Sequence, residues 1–169
     1  SDGDGVTDSV EDAGPNNGDA NSDGTPDKNQ DSVVAIQNDI TGKTVVLELS
    51  PSCEIQTFSI GAEDTLSKDD SDYIYDNGLV HFTADCGEPG VDVTVRQMYY
   101  DVTGTGFTTR KFNSNTETYS SISDASISED SIDGHQVAIA SYHVIDGGAL
   151  DEDGEENGLI TDPSGIASQ

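Results

Sequence analysis

The chain has 169 residues and a formal net charge of −28, with 34 Asp plus Glu against 6 Lys plus Arg. So few cations leave no basic stripe for phosphates, which argues against nucleic acid and against an anionic membrane surface as partners. No apolar run approaches the ~20 residues of a spanning helix, and self-repulsion destabilises a compact state unless something neutralises part of the charge.

The acids are clustered. Residues 1–31 carry Asp2, Asp4, Asp8, Glu11, Asp12, Asp19, Asp23, Asp27 and Asp31, interleaved with Gly, Asn and Ser rather than with Lys and Arg. Apart from Val6 and Val10 this stretch is nearly devoid of large apolar residues and cannot build a core of its own. Blocks of like charge are often disordered tails, and that is the plain alternative. The spacing is more regular than disorder requires. A calcium loop of the EF-hand type takes oxygens from positions 1, 3, 5, 7, 9 and 12, with Gly at 6 for the sharp turn. From Asp19 the template meets Asn21 at 3, Asp23 at 5, Gly24 at 6, the Thr25 carbonyl at 7 and Asp27 at 9. Position 12 is Gln30, which offers no bidentate carboxylate, so Asp31 is the candidate substitute. At the N-terminus the same template meets Asp2, Asp4, Gly5, the Val6 carbonyl, Asp8 and Glu11 at positions 3, 5, 6, 7, 9 and 12. Position 1 would precede Ser1, so this loop needs a ligand from a longer repeat array, from water or from a neighbouring molecule.

These two stretches resemble thrombospondin type 3 repeats. The resemblance covers residues 1–31 and implies calcium ligation by Asp2, Asp4, Asp8, Glu11, Asp19, Asn21, Asp23 and Asp27, with calcium in place of a hydrophobic interior. The cysteines common in animal members are absent here. The expectation is an irregular calcium-bound repeat segment over 1–31, ordered by the metal.

The remainder, 32–169, reads as one β domain. Thr44 to Leu49 alternates, with Val45, Leu47 and Leu49 on one face. Val80, Phe82 and Ala84 repeat the pattern, as do Val91, Val93 and Val95. Val137 to Ile145 is apolar on both faces apart from Ser141 and His143, as a strand covered on both sides should be. Weaker strands are predicted over Cys53–Ile60, Phe107–Phe112 and Glu117–Ser121, with Gly, Asn, Asp and Ser turns between. The fold class expected is all-β, an antiparallel β-sandwich of seven to nine strands. Cys53 and Cys86 are an even pair, read as one disulfide in an oxidising compartment; two buried free thiols are the alternative.

A third acidic stretch spans 146–162. With Asp151 at position 3, Asp153 falls at 5, Gly154 at 6, Glu155 at 7 and Asn157 at 9. Ala149 and Ile160 fall at 1 and 12 and cannot ligate through side chains, so Asp146 and Asp162 are expected to close the site from outside the template. An acidic hairpin between strands is the alternative. This end, with the Gly78–Phe82 and Val91–Tyr100 strands, resembles the "choice-of-anchor" β-domains of bacterial surface proteins, over roughly residues 33–167. That resemblance implies a secreted or surface-displayed bacterial protein. The family's usual C-terminal sorting signal is not present in the sequence.

No Gly-x-Ser-x-Gly, His-Glu-x-x-His or Gly-x-x-x-x-Gly-Lys motif occurs, and His81, His135 and His143 have no ligand spacing. The function expected is therefore non-catalytic: a calcium-binding structural protein of the cell exterior, serving as an adhesin stalk and domain or as a self-assembling fibre subunit. A carbohydrate-binding module is the alternative, with Tyr99 and Tyr100 as its stacking platform.

Overall fold

The computed structural model describes residues 6–62, 70–113 and 115–169. Among the described residues, ten strands form two five-stranded antiparallel sheets: β1 Val33–Gln37, β2 Thr44–Leu49, β3 Glu54–Gly61, β4 Leu79–Asp85, β5 Asp92–Tyr100, β6 Thr108–Asn113, β7 Thr118–Ser121, β8 Ser126–Ile132, β9 His135–Ile145 and β10 Leu159–Ala167. The first sheet runs β1-β2-β5-β9-β8 and the second β3-β4-β10-β6-β7. The all-β sandwich expected from alternation is the fold observed, with more strands than the seven to nine expected.

The inner faces supply the core. Val45, Leu47 and Leu49 of β2, Val93, Val95 and Tyr99 of β5 and Ala138, Ala140, Tyr142 and Val144 of β9 meet Ile55, Val80, Phe82, Ala84, Ile160 and Ile166 from the second sheet. Burying such side chains contributes ~1.5–3 kcal/mol each. Cys53 and Cys86 are bonded to each other and lie in the same cluster.

β9 is apolar on both faces because both are covered. Its Val137 and Ile139 turn outward and join Val33, Ala35, Val46, Met98, Tyr100 and Ile132 in a second cluster, capped by Ala20. The N-terminal segment is thus packed on the outer face of the first sheet. It runs irregularly, with a helical turn at Asp8–Asp12 and with Asn16 and Asn17 in the left-handed region at φ 56° and 57°. Asn tolerates that region better than most residues. Tyr99 and Tyr100, the stacking platform of the carbohydrate alternative, are both 1% exposed, and neither ring is offered to a ligand.

Candidate metal centres

The loop that starts at Asp19 is folded around its own acidic side chains. Asp19 accepts from the Asp23 N–H at 3.1 Å and from the Gly24 N–H at 3.0 Å. Gly24, at template position 6, has φ 92°, the left-handed conformation for which glycine is suited. Asp27 is fully buried and accepts from the Ala20 N–H through both oxygens, at 3.2 and 3.0 Å. The Asn21 amide donates to Asp23 at 2.9 Å, and its buried Oδ1 makes no hydrogen bond among the described residues. Thr25 is exposed, and its N–H donates to Asp23 at 2.9 Å.

One acid in this neighbourhood was missed by sequence reasoning. Glu48, on β2, accepts from the Asn21 amide at 2.9 Å and from Arg96 at 2.8 Å. It reaches the loop only because the segment folds back on the sheet, so no local spacing could have revealed it. Asp31, the expected substitute at position 12, has an exposed side chain, and its backbone carbonyl is tied to the Ile55 N–H at 2.8 Å.

Of the N-terminal set, Asp2 and Asp4 lie outside the described residues. Val6 packs against the core. Asp8 opens the first helical turn and Glu11 is buried within it at 1% exposure. The Thr7 carbonyl accepts from the Val10 and Glu11 N–H groups.

The C-terminal stretch brings together two of its expected ligands and turns a third away. Asp146 and Asp151 are 1% and 4% exposed, and their carboxyl groups interact directly. Asp146 Oδ2 accepts from the Gly158 N–H at 2.7 Å and the Gly90 N–H at 2.9 Å. Its Oδ1 is buried and accepts from no backbone N–H or alcohol hydroxyl among the described residues. Burial pushes the Asp146 carboxyl up, but the Gly158 and Gly90 N–H groups bring it below its ordinary value. Asp151 accepts from the Gly147 N–H at 3.0 Å and the Thr161 N–H at 3.2 Å. Burial raises it to about 6, with the nearby charge of Asp153 adding to the rise. Asp153 accepts from the Glu155 N–H and the Asn157 amide, at 2.9 and 3.1 Å, and Gly154 has φ 65°.

Asp162 does not join them through any hydrogen bond. It is fully buried, with its oxygens engaged by Lys111, Tyr142 and Ser164. Its position on β10 inside the core was not legible from an Asp-Pro pair read as the end of an acidic loop.

Among the described residues no three Asp, Glu, His or Cys side chains converge as a closed metal cage; the loop acids are instead tied to backbone N–H groups. His135 and His143 each meet one exposed aspartate, Asp101 and Asp92, and His81 on β4 lines a pocket with Glu152 and Asp162. No helix among the described residues is long and apolar enough to cross a membrane.

No protein family, curated protein or solved structure matches the chain.

Proposed function

We propose that this chain is a calcium-binding structural protein of the cell exterior, in which calcium stiffens the acidic loops and the β-sandwich serves as a building block. The observation that carries the reading is Asp146. It is a buried carboxylate in direct contact with a second buried carboxyl group, Asp151, and no backbone N–H or alcohol hydroxyl among the described residues donates to its Oδ1. Two carboxylates sharing a buried site need a proton or a cation between them, and a buried oxygen without a partner costs about 1–3 kcal/mol. A hard cation that collects six to eight oxygens satisfies both requirements. The second loop supports the reading, with the buried Asn21 Oδ1 and with Gly24 and Gly154 adopting the turn at corresponding template positions.

Asp146, Asp151, Asp153 and the Glu155 carbonyl are the candidate ligands of the C-terminal loop. Asp19, Asn21, Asp23, Asp27, the Thr25 carbonyl and Glu48 are those of the other. The Cys53–Cys86 disulfide supports an oxidising compartment. Bacterial surface display, in an adhesin or a fibre, follows from the resemblance of 1–31 to thrombospondin type 3 repeats and of 33–167 to choice-of-anchor domains.

Calorimetric titration of chelator-stripped protein tests the reading. Extracellular calcium modules bind at ~10⁻⁴–10⁻³ M, and saturable heat in that range is expected. Asp146→Asn keeps an acceptor for Gly90 and Gly158 while replacing the other oxygen with a donor, so it should remove one site and leave the rest. A folded protein that takes up no calcium at millimolar concentrations would overturn the proposal.

A further inference from the structure

Lys111 on β6 and Asp162 on β10 meet between the two sheets, with side chains 2% and 0% exposed, and Lys111 Nζ lies 2.8 Å from Asp162 Oδ1. The strands are antiparallel neighbours with Lys111 opposite Ser164, so Asp162 is the diagonal neighbour on the same face. Asp162 Oδ2 accepts from the Tyr142 hydroxyl, which reaches across from the other sheet, and from the Ser164 hydroxyl at 3.1 Å. Gln97 braces both, its amide donating to the Tyr142 oxygen at 3.1 Å and to Ser164 at 2.8 Å. The Glu152 carboxylate lies 3.9 Å from the same Lys111 nitrogen. One carboxylate oxygen thus faces a nucleophile, the other faces two hydroxyl donors, and an acid stands beside the nitrogen.

We propose that Lys111 and Asp162 condense to an intramolecular isopeptide bond, with Glu152 relaying the proton. One proton first passes from Nζ to Oδ1 along the existing hydrogen bond, leaving an amine beside a carboxylic acid. The nitrogen lone pair then attacks Cγ, and the carbonyl electrons move onto Oδ2. There the Tyr142 and Ser164 hydroxyls hold the developing charge, as preorganised donors do for any tetrahedral oxyanion. Glu152 takes a proton from the nitrogen and returns it to the Oδ1 hydroxyl. The Oδ2 carbonyl re-forms, and Oδ1 leaves as water. One N–C bond forms, one C–O bond breaks, one water departs, and nothing is oxidised or reduced. Fixed contact of the reactants supplies the effective concentration. Condensation also removes the desolvation cost that a buried ion pair bears.

The test is mass spectrometry of the purified, reduced and denatured full chain. Its mass should fall short of the sequence mass by one water. Cleavage after glutamates, which spares the Glu88–Pro89 bond, yields the stretches 64–117 and 157–169, which in the reduced chain only this bond would join, and they should appear as a single branched species. That species should be absent from Lys111→Met. In Glu152→Gln it should form about a hundredfold more slowly or worse, as loss of a general acid–base group predicts; formation at the native rate would overturn the relay. A full sequence mass with the two stretches separate would overturn the bond. So would a missing water that maps to an Asp-Gly succinimide, such as Asp133-Gly134, with the stretches still separate.

Discussion

The Tyr100 hydroxyl, at the end of β5, donates to the Ala20 backbone carbonyl at 2.5 Å across 80 residues of sequence. Ala20 is wholly buried beneath this contact, so a segment poor in apolar residues gains one of its anchors to the sheet from a small side chain and a phenol. Tyr100→Phe keeps the ring and strands the Ala20 carbonyl. Loss of about 1–2 kcal/mol is expected, together with faster amide exchange over residues 19–27. Unchanged exchange there would show that the segment does not depend on this anchor.

Gly78 has φ 74°, and a Cβ there would come within 2.7 Å of Ile40 Cδ1 and 2.9 Å of the Gly61 carbonyl oxygen. Gly134 has a similar φ of 79° but open space around it. Both alanine variants bear backbone strain, and only Gly78→Ala adds a backbone collision. In urea unfolding Gly134→Ala should lose about 1 kcal/mol and Gly78→Ala clearly more. Equal losses would mean that the Gly61 approach is readily relieved.

The disulfide closes the end of the β3–β4 pair at which Glu54 stands opposite Asp85. Like charges directly opposite on neighbouring strands repel, so the bond restrains the part of the ladder most inclined to open. It spans a separation of 33 residues, for which the chain-entropy account gives about 4 kcal/mol. Denatured, unreduced protein should show no titratable thiol, and reduction should lower the urea midpoint by a corresponding amount.

Charge sets the terms of self-assembly. Copies of net charge −28 repel strongly, and three bound calcium ions would leave about −22. If the chain is a fibre subunit, light scattering should rise during calcium titration and respond only weakly to sodium chloride at equal ionic strength. A particle that remains monomeric at saturating millimolar calcium would favour the adhesin reading.

Strands with a clean period of two were legible in the sequence. Thr44–Leu49 was predicted with its observed bounds, and the Val93–Val95 and Val80–Ala84 alternations fall within β5 and β4. β8 was not legible, because Ser126–Ile132 is largely exposed and carries Ser, Glu and Asp where a pattern would need apolar residues. β10 was hidden by its composition. Asp162 was expected to close a metal loop and Pro163, Ser164 and Gly165 carry no apolar alternation, yet Asp162 and Ser164 are buried polar residues matched by Lys111, Tyr142 and Gln97 from distant parts of the chain. The candidate loops were legible as spacing, since Asp19, Asp23 and Gly24 interact within a few residues. The role of Glu48 was not, since it depends on which face of the sheet the segment covers.

β8 also forms one border of the first sheet, and along it Glu129 and Asp130 are exposed. An open border offers unpaired backbone groups to any extended chain, and charged side chains are a common guard against such pairing. In crowded surroundings, this border should therefore resist annealing to stray unfolded chains. Replacing Glu129 and Asp130 with threonine would remove that guard and invite amyloid-like stacking from a sheet that otherwise keeps its strands to itself.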